Sequence, residues 1–484
     1  MRKYLIVSLC GVFLILFSCS TPQTESLDLE QDKLIQIYFN HRDIPGKTYI
    51  DPYRQIQRSG DNLEAVIIKA INKATSNIDI AVQELRLPKI AQALAERYQA
   101  GVKVRVVLEN NYSRPLSELT SAEINKLPAR DRSRYQEFLT LVDSDRNGQL
   151  STTEINRGDA LIILRNAGIP LIDDTADGSK GSGLMHHKFI IVDHQIVVTG
   201  SANFTLSDIH GDFANPETKG NTNNLVVINS KELANIFTEE FNYMWGDGSG
   251  GNLDSQFGLA KPIRFPQKII LENTIIEVQF SPISPSQPWD NTTNGLIGKA
   301  LSNATESIAL ALFVFSEQKL ADILLQKQQQ GVTIQGVFEP EFALRSYSEA
   351  LDLSGIAIKD NQCKYEADNN PWQTPLPTVG IAQLSRGDKM HHKFALIDRQ
   401  IVITGSHNWS AAANYDNDEN ILIIDNSTVA AHFQQEFEQL YHQAALGIPE
   451  SVRAKIKAQQ KKCGSTVLGV LVKPQKPYWA GLKG

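Results

Sequence analysis

Two stretches of the chain carry the same polar side chains at the same spacing. Both follow the pattern H-x-K-x4-D-x6-G-S-x-N, and one copy could arise by chance whereas two indicate a shared site. Each copy offers an imidazole, an ammonium, a hydroxyl and an amide, which are groups that move protons and hold phosphate oxygens. The residues are His186, Lys188, Asp193, Ser201 and Asn203 in the first copy and His391, Lys393, Asp398, Ser406 and Asn408 in the second.

Each copy reads as two β-strands joined by a tight turn, because an apolar run, a short polar turn and a second β-rich run follow the histidine pair. Residues two apart in a strand share a face, so His186 and Lys188 point the same way. The second histidine of each pair, His187 or His392, is predicted to be a buried or edge residue. The aspartates at the strand-to-turn junctions are predicted to be buried structural acids that fix the hairpins.

The duplicated pattern resembles the HKD signature of the phospholipase D superfamily of phosphodiesterases. Each copy supplies half a site, and the resemblance implies that two halves place two imidazoles on one phosphodiester. One imidazole would attack phosphorus and the other would protonate the leaving oxygen, giving a phosphohistidine that passes to water or an alcohol. Lysine, serine and asparagine would donate to the phosphate oxygens, and the family's chemistry needs no metal. The alternative, a β-hairpin repeat with incidental polar residues, leaves the matched positions unexplained.

An internal repeat extends well beyond the motifs. The segment 35–39 resembles 276–280, and each is followed by an apolar helical pattern, a strand, a second helix ended by Gly101 or Gly331, and another strand. This alternation predicts an α/β fold of two pseudo-symmetric α/β/α halves with mixed sheets, and the active site at their interface. The halves are expected at 34–250 and 260–447, within a monomer that forms an intramolecular pseudo-dimer.

The two ends of the chain differ from this body. Residues 1–18 are typical of a signal peptide, with Cys19 in a lipobox-like context as the lipidated residue, and residues 19–33 are expected to be a tether. Ordinary signal cleavage and an uncleaved anchor are the alternatives. Loss of residues 1–18 removes two basic residues and no acid, so the formal charge moves from −7 to −9. Residues 448–484 form a basic tail, and Cys363 and Cys463 are free to pair in an exported protein.

The first half carries about 25 extra residues, and an EF-hand-like loop accounts for much of this insert at about 131–166. Calcium ligands are expected in the spacing of that loop, with a backbone carbonyl at its seventh position and Gly148 at the sharp turn. A Ser-x-x-Glu capping box after a polar turn is the alternative, and it explains two of the residues. The predicted ligand residues are Asp143, Asp145, Asn147, Gln149, Ser151 and Glu154.

A second difference between the halves lies after the motifs. Glu419 follows the second motif, and Asn223 stands at the matching position of the first half. In the family, an acidic residue here hydrogen-bonds the imidazole of the same motif. Glu419 is therefore expected to hold His391, and Asn223 to orient His186. This arrangement favours His391 as nucleophile and His186 as general acid. The reverse assignment is the alternative, because the first motif attacks in some relatives, and Glu419 could instead be a solvated loop carboxylate.

The resulting prediction is an exported, lipid-anchored phospholipase D-like enzyme of the bacterial cell envelope. It would hydrolyse or transfer phosphatidyl groups at a phospholipid membrane surface. Calcium would be structural at the EF-hand-like loop, with no cofactor for catalysis. The alternative is an exported endonuclease of the same superfamily acting on DNA or RNA, which the basic tail favours and the acidic body opposes.

Overall fold

The fold is described by a computed structural model that covers residues 28–463. The predicted signal peptide, Cys19 and the end of the basic tail lie outside the described residues. Among the described residues, no helix combines the length and the apolar character that crossing a membrane requires.

The first half alternates strands and helices as the repeat predicts. Helix α1 begins after Asn62, whose side chain accepts a hydrogen bond from the Ala65 N–H. The elements in chain order are β1 (Ile35–Phe39), β2 (Thr48–Ile50), β3 (Gln57–Ser59), α1 (Leu63–Asn72), β4 (Asn77–Val82), α2 (Pro88–Gln99), β5 (Lys103–Leu108), α3 (Ser121–Lys126), α4 (Ala129–Val142), α5 (Thr152–Gly158), α6 (Ala160–Ala167), β6 (Leu171–Asp173), β7 (Lys188–Val192), β8 (Ile196–Gly200), α7 (Leu206–Ile209), β9 (Asn224–Asn229) and α8 (Lys231–Trp245).

The second half repeats this order without the helical insert. Helix α9 is capped by Thr292, which accepts from the Gly295 N–H, as Asn62 caps α1. The elements are β10 (Gln267–Leu271), β11 (Thr274–Ser281), α9 (Thr293–Ser302), β12 (Ser307–Leu312), β13 (Phe315–Ser316), α10 (Gln318–Gln329), β14 (Thr333–Phe338), α11 (Pro340–Ala343), α12 (Glu349–Leu353), β15 (Val379–Ile381), β16 (Lys393–Ile397), β17 (Ile401–Gly405), β18 (Trp409–Ser410), α13 (Ala411–Tyr415), β19 (Glu419–Asp425), α14 (Ser427–Gln443), β20 (Ala445–Leu446) and α15 (Glu450–Cys463).

Each half is built on one large mixed sheet. Within residues 28–463, the first sheet has the order β1-β9-β8-β7-β4-β5-β6, and the second has the order β10-β11-β19-β17-β16-β12-β14-β15-β20. The seven strands of the first sheet correspond one to one with the seven inner strands of the second. Strands β4, β5 and β6 run parallel, whereas the strands on their other side are antiparallel. The predicted pair of pseudo-symmetric α/β halves with mixed sheets is confirmed.

The motif strands are buried on both faces, because helices cover both faces of each sheet. All five residues of β7 and all five of β16 are buried, as expected for central strands of an α/β layer structure. One cluster joins the first sheet to α1, α2 and α6, and a second joins the other sheet to α9, α10 and α12. A third cluster contains residues of α8 and α14 together with strands of both sheets. The two halves therefore share a continuous hydrophobic core.

The hairpin that follows each motif is fixed by its aspartate. Asp193 and His194 both have positive φ, 53° and 48°, and the Gln195 N–H donates to the Val192 carbonyl, as in a type I′ turn. The Asp193 carboxylate accepts hydrogen bonds from the backbone N–H groups of the segment 75–77, which leads into β4. Asp398 binds 305–307 in the same way. Both acids thus have the predicted structural role, but they are half-buried rather than buried.

The ends of the described chain are more ordered than the sequence suggested. The last residues of the predicted tether pack on the fold, because Gln31 exchanges hydrogen bonds with Ile37 of β1. At the other end, the basic tail begins with helix α15, whose Val452 is buried. Cys363 and Cys463 form a disulfide that ties α15 to the second half.

Candidate functional site

The first histidine of each motif lies two residues before its strand, and both line one cavity between the halves. This cavity has a volume of about 1180 Å³. His186 and His391 are each 7% exposed. The predicted convergence of the two motifs on one cleft is therefore what the fold produces.

Each motif is seated on a segment from the opposite half. The His186 N–H donates to the Asp418 carbonyl at 2.9 Å, and the Asp418 N–H donates to the Leu184 carbonyl at the same distance. On the other side, the His391 N–H donates to the Thr222 hydroxyl at 3.1 Å. The segments that precede β9 and β19 therefore cross into the opposite half before they enter their own sheets.

This crossing corrects the predicted partner of each histidine. Glu419 Oε2 lies 2.7 Å from His186 Nδ1, so the carboxylate of the second half supports the imidazole of the first. Asn223 Oδ1 lies 2.9 Å from His391 Nδ1. The expectation that Glu419 holds His391 and Asn223 holds His186 was wrong. The family pattern identified the residue types, but the partner depends on which segments cross between the halves.

The Asn223 network fixes the tautomer of His391. The amide NH2 of Asn223 donates to the carbonyls of Asp208 and Asn221 at 2.8 and 3.1 Å. Its Oδ1 is therefore the atom that faces His391, and it also accepts from the Ser201 hydroxyl at 2.7 Å. An oxygen can only accept, so His391 carries its proton on Nδ1. Its Nε2 is left free for the cavity.

The electrostatics of the site favour neutral imidazoles. Burial, followed by the charges of the two motif lysines, lowers the pKa of His186 and of His391 well below the ordinary value of 6.5. Burial also raises the pKa of Glu419, while Lys188 and Lys393 act in the opposite direction. We assign the His186 proton to Nδ1, where it donates to Glu419. The Nε2 lone pair is then available to attack an electrophile.

Both motif lysines lie beside the histidines and are almost fully buried. Lys188 Nζ donates to the His186 carbonyl at 3.0 Å and to Gln83 at 3.3 Å. Lys393 Nζ donates to the His391 carbonyl at 2.8 Å and lies 4.9 Å from the centre of the Phe313 ring. Burial lowers the pKa of Lys188 to about 8. A bound phosphate would favour the charged form of both ammonium groups.

The serine–asparagine ends of the motifs divide into two roles. Asn203 and Asn408 line the cavity, as expected for side chains that bind substrate. Ser201 and Ser406 are fully buried, and their hydroxyls accept from the N–H groups of Asn224 and Asn420. The structure thus places the serines behind the histidines rather than among the residues that line the cavity.

The second histidine of each pair is buried, as predicted, and binds an acid that the sequence analysis missed. His187 Nε2 lies 3.2 Å from Glu240 of α8, and His392 Nε2 lies 3.1 Å from Glu436 of α14. The two acids occupy matching helices, so an alignment of the repeat beyond the motifs could have found them.

Two further acids sit under the motifs in the same paired way. Glu109 and Glu339 accept from the N–H groups of Met185 and Met390 at 2.7 and 2.8 Å. Burial raises the pKa of both carboxyls. Each follows the strand that it terminates, β5 or β14, and the same alignment of the repeat identifies the pair.

One wall of the cavity comes from the insert. Residues along α4 line it, and this helix has no counterpart in the second half among the described residues. Arg134 of α4 lies 3.7 Å from Glu84 and 3.3 Å from the Tyr112 hydroxyl. Sequence reasoning gave no reason to expect the insert at the active site.

The EF-hand-like loop follows α4 directly. The carboxylates of Asp143, Asp145 and Glu154 have oxygens within 4.8 Å of one another. Asp143 accepts from the N–H groups of Asn147 and Gly148, which curls the loop around the acids. The alternative capping box also forms, because the Ser151 side chain and Glu154 bind each other's backbone N–H groups. Hydrogen bonds, those from Ser151 foremost, lower the pKa of Glu154 to about 2.

Of the remaining predicted ligand residues, Asn147 and Ser151 are engaged within the loop. Asn147 Oδ1 accepts from the Gln149 N–H at 2.8 Å, and the Ser151 hydroxyl donates to Glu154 at the same distance. The loop brings three carboxylates together, which fits the chemistry of calcium binding.

The comparisons with known proteins agree with this geometry. The model of the family described as cardiolipin synthase, PLD-like domain, matches residues 67–245 and 297–441. The mitochondrial cardiolipin hydrolase of Xenopus tropicalis is 30% identical over 189 residues, which cover 38% of this chain and 79% of that protein. A phospholipase D of Rickettsia conorii is 27% identical over 141 residues, which cover 29% of this chain and 60% of that protein.

A solved structure supports the two-half architecture. The phosphatidylserine synthase of Haemophilus influenzae matches 90% of this chain and 96% of its own length, with a TM-score of 0.52 and 12% identity. This likeness concerns the fold alone. Because the family model matches both halves and most of the chain, the protein belongs to the phospholipase D-like family of phosphodiesterases.

Proposed function

We propose that the protein hydrolyses or transfers the phosphatidyl group of a phospholipid through a phosphohistidine intermediate. The observation that carries this proposal is the pair of cavity-facing imidazoles, each tied back through Nδ1 to an acceptor from the other half. Two such groups on one phosphodiester supply a nucleophile and a general acid at the same time.

The roles follow from the corrected partners. A carboxylate stabilises the charge that develops on an attacking imidazole better than an amide does. Glu419 therefore makes His186 the nucleophile, the reverse of the assignment made from the sequence. His391, supported by the amide of Asn223, is the general acid, and the Asp208 carboxylate lies 3.9 Å from its Nδ1.

The reaction then proceeds in two balanced steps. His186 Nε2 forms a bond to phosphorus while the bond to the head-group oxygen breaks. His391, which takes a proton from solvent onto Nε2 once the anionic phosphate is bound, gives that proton to the leaving oxygen. Water or an alcohol next gives a proton to His391 and attacks phosphorus, and the P–N electron pair returns to His186. Lys188 and Lys393 neutralise the non-bridging oxygens, and Asn203 and Asn408 position them.

A lipid substrate is supported by the relatives and by the charge of the protein. The cardiolipin hydrolase and phospholipase D relatives are named for lipids. The formal charge of −7 disfavours nonspecific binding to a polyanion. Helix α15 favours the alternative of an exported nuclease, because several exposed basic residues lie along it.

We further propose export, with a lipid anchor at Cys19. The Cys363–Cys463 disulfide supports an oxidising compartment, since such bonds are rare in reducing ones. Cys19 itself lies outside the described residues. An anchored enzyme would meet its substrate at the surface of the envelope membrane.

The decisive test compares residues 20–484 with the His186→Ala and His391→Ala variants. Phosphatidylcholine, phosphatidylglycerol and cardiolipin vesicles are assayed beside single- and double-stranded DNA. Phosphatidic acid, or phosphatidylglycerol from cardiolipin, should be released by the unmodified protein and by neither variant. DNA cleavage with untouched vesicles would overturn the lipid assignment and make the protein a nuclease.

Calcium at the EF-hand-like loop is a separate proposal, and Asp143, Asp145 and Glu154 would hold the ion. The predicted effect is on stability, because a ligand at 100 times its Kd stabilises the folded state by about 2.7 kcal/mol. Thermal unfolding should shift upward by a few degrees in calcium, and the Asp143→Ala variant should show no shift. Activity that persists in EDTA would agree with a structural ion, and equal melting curves with and without calcium would contradict the site.

A further inference from the structure

A buried ion cluster lies beneath one of the two catalytic pairs. It centres on Lys261, in the linker between α8 and β10, whose side chain is 0% exposed. Its Nζ lies 2.6 Å from Asp418 Oδ1 and also donates to Glu240. Arg264 adds a second cation 3.3 Å from Glu240. An ammonium this deeply buried is stable only with such partners.

Both acids of this cluster are connected to the catalytic pair of His186 and Glu419, Asp418 directly and Glu240 through His187. Asp418 precedes Glu419 in the chain, and its carbonyl accepts from the His186 N–H at 2.9 Å. Glu240 binds His187, which follows His186. Lys261 therefore contacts Asp418, which is the chain neighbour of Glu419, and Glu240, which reaches His186 through His187.

The linker also fixes Asp418 through its backbone. The Gly258 N–H donates to Asp418 Oδ1 at 3.0 Å. Burial raises the pKa of Glu240, but Lys261 and Arg264 outweigh burial and lower the net pKa, so this carboxylate remains ionised. Without the ammonium, Glu240 would keep Arg264, but Asp418 would lose its ion-pair partner and, among the described residues, keep only the Gly258 N–H. Repulsion between the two buried carboxylates would then displace the segment that carries Glu419.

The other catalytic pair has no such support among the described residues. Thr222, a neutral residue, takes the place of Asp418 and accepts from the His391 N–H. Glu436, the counterpart of Glu240, binds His392 and forms no ion pair with a lysine or arginine of residues 28–463. The two halves therefore differ in the residues beneath the catalytic histidines as well as in the carboxylate or amide that faces each Nδ1.

We propose that Lys261 is a positioning residue for catalysis. The linker supplies a buried cation that holds Asp418, and through it Glu419, in the geometry that orients His186. A displacement of even 1 Å in such a support weakens catalysis strongly. The inference rests on the proposed phosphodiesterase function, but the orientation of His186 can be measured without turnover.

The perturbation is Lys261→Met, which keeps the length of the side chain and removes the charge. Arg105→Met is the matched control. It removes a cation from Asp79, a carboxylate that is 1% exposed and lies in β4 near the strand end away from the catalytic residues. Asp418→Asn is a second variant, which keeps the shape of the side chain if Lys261→Met fails to fold.

Nuclear magnetic resonance of ¹⁵N-histidine-labelled protein reports the Nδ1 proton of His186 in the absence of substrate. The signal is assigned by its loss in His186→Gln. We expect it to shift or disappear in Lys261→Met and Asp418→Asn and to persist in Arg105→Met. An unchanged signal in both site variants would overturn the inference even if the protein cleaves no lipid.

Kinetics on any phosphodiester that the unmodified protein cleaves provides the second readout. We expect kcat to fall at least tenfold in Lys261→Met, with KM nearly constant. The double variant with Asp418→Asn should lose little more than the worse single variant, because both act through one contact. A kcat within twofold of the unmodified protein, or fully additive losses, would contradict the positioning role. Absence of lipid cleavage by the unmodified protein would count only against the proposed substrate.

Discussion

Replacing the acceptor behind each catalytic histidine tests the crossed arrangement directly. Glu419→Gln removes the charge behind His186, and Asn223→Ala removes the amide behind His391. The two variants are matched, since each changes the one acceptor that faces Nδ1, at 2.7 and 2.9 Å. If His186 is the nucleophile, the first change should be much the more harmful.

The strengths of the hydrogen bonds to His186 and His391 predict how much kcat should differ between the two variants. A hydrogen bond to a charged group contributes about 1.5–3 kcal/mol, which is about 10- to 150-fold in rate. Glu419 Oε1 also accepts from Asn417 Nδ2 at 3.2 Å. A glutamine that keeps this bond turns its NH2 toward His186, forces the proton onto Nε2 and removes the attacking lone pair.

In a serine protease triad the comparable change costs about 10⁴ in kcat. We therefore expect Glu419→Gln to lower kcat by about 10² to 10⁴. The hydrogen bond between the neutral groups of Asn223 and His391 contributes about 0.5–1.5 kcal/mol. Asn223→Ala should therefore lower kcat by only about 2- to 12-fold.

The assay combines rapid-quench kinetics with mapping of the covalent intermediate. Trypsin separates the two histidines, because His186 lies in the peptide 181–188 and His391 in the peptide 390–393. A phosphodiester with a p-nitrophenyl leaving group needs little acid assistance, so His391→Ala should accumulate the adduct. Adduct on 390–393, or a larger loss in Asn223→Ala than in Glu419→Gln, would refute the assignment of His186 as nucleophile.

Three further outcomes are expected. Burial holds the pKa of His186 below 6.5, and the neutral imidazole is the form that attacks. The pH profile of kcat/KM should therefore fall on its acidic side only below pH 6.5. A fall that begins above pH 7 would contradict this. Asp398→Ala should lower the free energy of unfolding, measured in urea, by about 2–4 kcal/mol with little change in kcat. Burial raises the pKa of Asp398, but backbone hydrogen bonds outweigh burial and lower the net pKa. The stabilisation by this carboxylate is therefore complete above the ordinary pKa of 3.8 and is lost as the pH falls through the lower pKa of the folded state. Reducing Cys363–Cys463, which spans 100 residues, should destabilise the fold by about 4–5 kcal/mol, and an unchanged urea midpoint would count against the pairing.

The duplicated pattern explains why so much of the fold could be predicted. Strand β1 and its counterpart β11, the caps of α1 and α9, and both hairpins depend on local periodicity and turn chemistry. The side of the strand that each histidine of a pair occupies also follows from local geometry. These features needed no knowledge of how the halves meet.

The partners of the histidines depend on the interface between the halves, which local patterns do not specify. Glu419 lies 28 residues after His391 in the chain, yet it binds His186, because the segment before β19 crosses to the opposite half. Ser201 carries a hydroxyl suited to phosphate, but its position beneath Asn223 commits it to the support of the site. The role of α4 as a cavity wall likewise depends on how the insert folds back.

The crossed supports make the two halves mutually dependent. A symmetric dimer of first halves would place amides behind both imidazoles, and a symmetric dimer of second halves would place carboxylates behind both. Neither would reproduce the unequal pair on which the division into nucleophile and acid depends. Joining the repeats in one polypeptide guarantees that every molecule contains one first half and one second half. Each half can then take on its own role, because neither has to pair with a copy of itself.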